Sequence, residues 1–355
     1  MTKEPEPISQ PLKSGFSTGA AMTAAAVAAA MGLKNQKIPC EVVIDLPKGR
    51  KLTIPILEGT IQKSVQTVVV KEAGDDPDVT NQARIGVRLE ERDSGLTLVG
   101  GLGVGKVTKP GLVLPPGEWA INPKPRQYLA QNLEPYLRET GLLVQVFIQN
   151  GEKLALKTLN PRLGIVGGLS VLGTTGLVKP FSHAAYLATI DSALNVAKAM
   201  GLEEIILTTG GRSEELARSL RPDLPPEGFI QIADYFAAAL IKAAKKRFLT
   251  IGLAVFFGKA VKQAAGYRST HAHHNEMDLS LLAAWLKPLN PKVLNQIAQA
   301  PTALAALAVI KEERLIGAVE IVAQRIVAKA QAFTGPLPKI WATIFDFDGT
   351  ILAQA

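Results

Sequence analysis

The chain changes rhythm at about Leu163, and the second half narrows the fold more than the first. LGIVGGL reads as a buried strand entering a glycine-rich loop, followed by an amphipathic helix over residues 181–200. A strand at 204–208 ends in TTGGR and a helix begins over 213–220. A helix over 230–246 then leads to a strand at 248–256 that ends in FFGK. Strand, loop and helix in alternation predict a parallel, doubly wound α/β sheet. Ligands of such sheets bind at the loops following the C-terminal ends of the strands.

The first half has a different texture. GFSTGAAMTAAAVAAAMGL predicts a helix capped by Ser17 or Thr18 and running to about Met31, with Gly32 as its stop. Strand-like runs follow at 41–46, 52–56, 64–71, 83–90, 96–99 and 144–148, separated by the turn clusters GDDPD and KPGLVLPPGE. This predicts an α+β unit. From about Met277 the chain reads as helices at 279–286, 291–300, 303–309 and 317–333, with a last strand at 341–345. The expectation is that this tail returns to the first unit. An α+β domain (1–160 with about 290–355) would then be interrupted by a smaller doubly wound α/β domain at 161–289.

Composition excludes several classes. With 47% hydrophobic and 20% charged residues, the chain is not a disordered one. The lone Cys40 rules out a disulfide framework and a cysteine-based zinc site. No segment reaches the roughly 18–20 strongly apolar residues of a membrane span. The opening MTKEPEPISQPLKSG is polar and proline-dotted, unlike a secretory leader, and a cytoplasmic protein with no membrane partner is predicted. Net charge is +8, from 39 Lys and Arg against 31 Asp and Glu. The basic residues are scattered and no nucleic-acid motif accompanies them, so a small anionic ligand is favoured over DNA or RNA.

Several motifs carry competing readings. DFDGT at the tail matches the opening of haloacid-dehalogenase-type phosphatases, but five residues follow Thr350 where a whole domain would be needed. It reads as a terminal strand with an Asp-Gly turn. GGLGVGK tempts a dinucleotide reading, yet VTKPGLVLPPGEW after it cannot form the required helix, so a glycine-rich turn or ligand-facing loop is predicted. The segment ending in Gly258 and Lys259 is not a Walker loop, but it sets Lys259 at a helix start, where an anion is welcome. Ser170 does not sit in a nucleophile elbow. THAHHNEMD groups His271, His273 and His274, which could meet a metal with Glu276 or Asp278, or donate hydrogen bonds to a carboxylate with no metal. GTTG (Gly173, Thr174, Thr175, Gly176) and TTGGR (Thr209, Gly210, Gly211, Arg212) join glycines for close backbone approach with small hydroxyls, and Arg212 adds a fork of donors.

Taken together, GFSTG, AGDDPDVTNQA, GVGKVTKPGL, AINPKPR, GTTGLVKPFS, TTGGRSEE, FGKAVKQAAG and THAHH, in that order, resemble the cobalt-precorrin-5B C-1-methyltransferase family of anaerobic cobalamin biosynthesis, the CbiD type. The likeness runs from about Gly15 to the C-terminus. Two departures are visible: GFSTG stands where the family commonly has GYTTG, and Gly211 precedes the arginine where the family often reads TGRTSE. The resemblance implies S-adenosyl-L-methionine-dependent methylation at C-1 of cobalt-precorrin-5B, giving cobalt-precorrin-6A, and an α/β domain that interrupts an α+β domain. It implies no protein-bound metal. The donor is expected near Gly173, Thr174, Thr175 and Gly176 and near Thr209, Gly210, Gly211 and Arg212. The polycarboxylate cobalt-tetrapyrrole is expected toward Ser17, Thr18, Gly19, Gly103, Lys106, Lys109, Arg126, Lys259, Lys262 and Thr270. His271 or His273 is the expected base for a proton leaving the macrocycle. Two other functions fit parts of the pattern: a tetrapyrrole carrier without catalysis, and a metal-assisted hydrolase using THAHH.

Overall fold

The computed structural model describes residues 12–137, 140–271, 277–286 and 290–355. It divides into two units, Met1–His183 and Ala184–Ala355.

Unit 1 is α+β. Helix α1 (Thr18–Asn35) is capped by Ser17, whose Oγ accepts from the Ala20 amide at 3.2 Å. Its alanines are buried, so the backbone can lie close to a sheet; Thr67 Oγ1 donates to the Ala25 carbonyl at 2.6 Å. The helix runs past Gly32 and ends where Gln36 turns left-handed. Gly32 is needed for a different reason: a Cβ there would lie 2.9 Å from the Ile38 side chain. The hairpin β1 (Glu41–Leu46) and β2 (Arg50–Pro55) precedes a five-stranded sheet. Its strands are β3 (Glu58–Ile61), β4 (Val65–Val70), β5 (Arg84–Arg92), β6 (Leu96–Gly100) and β7 (Gly141–Ile148). Their order is β3-β4-β5-β7-β6, antiparallel except for the β7–β6 pair. Helix α2 (Pro123–Leu133) packs on α1.

LGIVGGL does not open the parallel sheet. Ile165–Val166 pairs with Lys106–Val107, and Gly168–Leu169 with Gly103–Val104, all within unit 1. The run is too broken by glycines to sustain a longer strand.

Unit 2 is the doubly wound α/β body. Its strands are β8 (Glu204–Thr208), β9 (Phe229–Gln231), β10 (Thr250–Phe256), β11 (Lys339–Phe345) and β12 (Ile351–Gln354), in the order β9-β8-β10-β11-β12. The first four are parallel and β12 is antiparallel. Alternate residues serve opposite faces. Ile205, Leu207, Ile251, Leu253 and Val255 join one large core with α3 (His183–Ala199), α5 (Phe236–Lys245), α6 (Phe257–Ala264) and the C-terminal helices. Ile206, Ala254 and Phe345 join a smaller core under α4 (Gly211–Leu220). Burial on both faces explains why β8 and β10 read as unbroken apolar runs. Four further helices, α7 (Leu279–Trp285), α8 (Pro291–Ala298), α9 (Ala303–Glu312) and α10 (Ile316–Thr334), carry the chain from α6 to β11.

Two expectations need correction here. The tail does not return to unit 1: β11 pairs with β10 along seven residues, Thr250 to Phe256 against Lys339 to Phe345, and completes the parallel sheet. The helix expected over 230–246 begins only at Phe236, because Phe229–Gln231 is an edge strand paired with β8.

Candidate active site

In the order β9-β8-β10-β11, the first strand in sequence lies between the second and the third. The connections therefore leave β8 and β10 toward opposite faces, opening a crevice beyond their C-terminal ends. A cavity of about 810 Å³ occupies that end of unit 2. Thr209, Gly210, Gly211 and Arg212 line it after β8, Asp234 after β9, Phe256 to Lys259 after β10, and Phe345 to Phe347 after β11. Lys262, Thr270 and His271 complete its polar wall, and Met277, Leu304 and Leu307 its apolar one.

The local structure of each loop follows from its residues. Ser213 Oγ accepts from the Thr209 and Gly210 amides at 3.0 and 3.1 Å, fixing the turn into α4. At Gly210 and Gly211 an added Cβ would meet no protein atom within 4 Å. No contact among the described residues requires glycine there; what the absent side chains leave is exposed backbone at a helix N-terminus, suited to a closely approaching ligand. The second such terminus is that of α6, with Gly258 and Lys259 in its first turn. An aromatic wall stands beside them. Phe256 and Phe347 stack at 5.3 Å with an interplanar angle of 9°, and the Arg212 guanidinium lies 5.8 Å from the Phe256 ring while donating to the Phe347 carbonyl.

The polar wall is a connected set. Asp234 Oδ1 accepts from Thr270 Oγ1 at 2.7 Å and lies 3.0 Å from Lys259 Nζ. Burial alone would raise the Asp234 carboxyl, but the Thr270 hydrogen bond, the Lys259 ammonium and His271 together hold it below its ordinary value. Lys262 Nζ donates to the Thr270 carbonyl at 3.3 Å. Asp346, buried at the end of β11, pairs with Lys311. DFDGT is a hairpin turn, as its Asp-Gly pair predicts: the Asp346 amide donates to the Thr350 carbonyl at 2.9 Å and Gly349 takes a φ of +96°.

The structure thus gathers eight of the predicted site residues into one cavity: Thr209, Gly210, Gly211, Arg212, Lys259, Lys262, Thr270 and His271. His273 lies outside the described residues, as do His274 and Glu276. Asp234, Asp346 and the phenylalanines join those eight in the same cavity. A carboxylate or ring at a strand end carries no mark in sequence until the sheet order brings the ends together.

The remaining candidates belong to unit 1. Gly173, Thr174, Thr175 and Gly176 are part of it rather than of the α/β body. They close on the start of α1. The Ser17 amide donates to the Gly176 carbonyl at 2.9 Å, the Gly19 amide to the Leu172 carbonyl at 3.0 Å, and Thr18 Oγ1 accepts from the Leu172 amide at 2.8 Å. A Cβ on Gly173 would fall 2.0 Å from Ser17 Oγ, and one on Gly19 2.1 Å from the Tyr128 hydroxyl. Gly103 is likewise governed by the backbone, since its Cβ would fall 2.0 Å from the Ile148 carbonyl. Arg126 holds the Ile121 and Trp119 carbonyls at 2.7 and 3.2 Å and Glu118 at 3.1 Å. The side chain of Lys109 packs beside Gly164. Lys106 remains exposed, with its ammonium 4.5 Å over the Trp119 ring. The AGDDPDVTNQA motif is likewise engaged by the protein: its Asp78 meets Lys71, 1% exposed, at 2.7 Å.

Comparison with known proteins bears on both units. Residues 6–180 match the family model CbiD, and 269–355 the model CbiD, C-terminal domain. The chain is 41% identical to the cobalt-precorrin-5B C(1)-methyltransferase of Nitratidesulfovibrio vulgaris, over 97% of this chain and 93% of that protein. It is 42% identical to the protein of the same name from Thermus thermophilus, over 94% of this chain and 91% of that one. Among solved structures, a cobalamin biosynthesis protein (cbiD) from Archaeoglobus fulgidus is 24% identical over 85% of each chain, with a TM-score of 0.40. With both of its ends matched by the family's two models and nearly its whole length aligned at about two residues in five, this chain belongs to the CbiD family.

Proposed function

We propose that this chain is the methyltransferase that methylates C-1 of cobalt-precorrin-5B to give cobalt-precorrin-6A in anaerobic cobalamin biosynthesis, with S-adenosyl-L-methionine as donor. The observation that carries the reading is the cavity at the strand ends of unit 2, in a chain whose full-length relatives bear that name. Its glycine-floored helix termini, aromatic wall and separate polar wall suit a nucleoside-containing donor beside a polyanionic acceptor.

When bound, the donor supplies a sulfonium methyl that a ring carbon takes in line. The new carbon–carbon bond forms as the sulfur–methyl bond breaks, and S-adenosylhomocysteine leaves. The protein's part is orientation and exclusion of water, worth up to about 7–11 kcal/mol for well-placed reactants. Gly210 and Gly211 let the backbone approach the donor, and Phe256 and Phe347 offer it a flat face. The polar wall, with Lys262 and Thr270 in it, faces the acid groups of the ligands. His271 is the base for the ring proton. The single exposed thiol, Cys40, suits a reducing cytoplasm.

The test is turnover: purified protein, cobalt-precorrin-5B and methyl-labelled donor under anaerobic conditions. Label appearing in a macrocycle heavier by one methyl is the expected result. Tight binding of the macrocycle with no transfer would instead make the chain a carrier.

A further inference from the structure

Two lysines line the cavity, and their surroundings differ. Lys259 Nζ lies 3.0 Å from Asp234 Oδ1 and 3.5 Å from the Ala233 carbonyl, so its charge is already balanced. Lys262 is 7% exposed and donates to a neutral group, the Thr270 carbonyl at 3.3 Å; among the described residues no carboxylate lies within ion-pair distance of it. An ammonium that deep with no anion is costly. Where this protein completes a buried lysine by itself it does so fully, as with Lys71 and Asp78 at 2.7 Å.

Asp234 organises the difference. Its side chain accepts from Thr270 Oγ1 at 2.7 Å and its carbonyl accepts from the Thr270 amide at 3.0 Å, fixing the segment whose next carbonyl holds Lys262. Ala233 before it takes a φ of +46°, a left-handed conformation unusual for alanine that turns the chain out of β9 to present Asp234.

Resting on the methyltransferase reading, we infer that Lys262, and not Lys259, receives a carboxylate of the bound ligand, and that Asp234 is the positioning residue that neutralises Lys259 and holds Lys262 in place. The carboxylate belongs either to the amino-acid tail of the donor or to an acid side chain of the macrocycle.

Calorimetric titration of the full chain and its Lys262→Met, Lys262→Gln, Lys259→Met and Asp234→Asn variants separates these. Two probes share the nucleoside and sulfur: S-adenosylhomocysteine has the carboxylate, 5′-methylthioadenosine lacks it. If the tail is the source, both Lys262 variants bind S-adenosylhomocysteine weaker by about tenfold or more and methylthioadenosine unchanged. Asp234→Asn narrows the same ratio, which a merely structural loss would not do, and Lys259→Met leaves it alone. If the macrocycle is the source, both nucleosides are unaffected by Lys262→Met, and affinity for a polycarboxylate cobalt-tetrapyrrole falls instead while that for its methyl ester does not. The Lys262→Met fold is checked by its thermal midpoint, expected at or above wild type because a buried charge that no described carboxylate meets is removed. Equal affinities of wild type and Lys262→Met for every probe, or a larger loss in Lys259→Met, would overturn the assignment alone. A wild-type chain that binds none of the probes would overturn the methyltransferase reading as well.

Discussion

The loop at residues 173–176 and the loop at 209–212 are built from the same materials, threonine and glycine, and are put to different uses. In unit 1 the first loop is closed by protein: Gly173 faces Ser17, Gly176 accepts from the Ser17 amide, and Thr175 Oγ1 turns back on Leu177 at 3.3 Å. In unit 2 the second loop faces a cavity, and among the described residues no atom lies within 4 Å of a Cβ at Gly210 or Gly211. The same contrast separates the buried lysines, Lys71 with its aspartate and Lys262 with a single carbonyl. The lesson is that a glycine-rich motif signals close approach without saying of what. Only the surroundings of the missing Cβ tell packing from binding.

Substitutions in the two units should differ in what they cost. The largest effect is expected for Gly173→Ala, where a Cβ 2.0 Å from Ser17 Oγ and a φ of +139° cannot both be relieved. Chemical denaturation should show a loss of more than about 4 kcal/mol, or no folded protein at all; wild-type stability would show that the junction is loose. Asp78→Asn comes next, leaving the Lys71 ammonium buried without an anion, at a cost of about 3 kcal/mol near neutral pH. The sign follows from the carboxyl. Burial raises the Asp78 carboxyl, but Lys71 and Thr80 outweigh that and hold it below 3.8. Its stabilisation is therefore present above that value and disappears as pH falls through the lower folded value, so wild type and variant should converge in acid.

Smaller effects sharpen the contrast. Gly210→Ala and Gly211→Ala should stay within about 1 kcal/mol of wild-type stability, since no atom opposes the new methyl. Their affinity for S-adenosylhomocysteine should nonetheless fall severalfold in a titration. A variant that unfolds, or one that binds normally, would erase the distinction between the two loops. The smallest change is expected for Arg126→Lys, which keeps charge but loses the fork on Ile121, Trp119 and Glu118: about 1 kcal/mol of stability, with ligand binding untouched.

How much of this was legible in the sequence depended on whether the signal was local. Strands β8 and β10 and the loops after them stood out, because a strand covered on both faces is apolar throughout and ends at glycine. So did Lys259 and Lys262, on the helix α6 that follows β10, and Thr270 and His271 in the polar segment after it. Strand β9 was hidden, because FIQIADYFAAALIKAAKK has no glycine or proline to mark the turn, and the left-handed Ala233 that makes it leaves no trace in composition. The tail was legible as a strand but not as the partner of β10, since an apolar alternation does not name its neighbour. Asp234 and Asp346 were illegible for the same reason: each matters through residues distant in the chain that the sheet order brings beside it. In unit 1 the sequence could not show that backbone carbonyls and hydroxyls of the protein engage Gly103, Arg126 and the 173–176 loop, since those partners lie far off in the chain.

Amide hydrogen exchange of the full chain, with and without saturating S-adenosylhomocysteine, decides whether the loops of unit 2 face a ligand while those of unit 1 face protein. Slowed exchange is expected at residues 209–213 and 257–262, with residues 17–19 and 172–176 exchanging as before. Protection confined to 172–176, with 209–213 unchanged, would contradict that division.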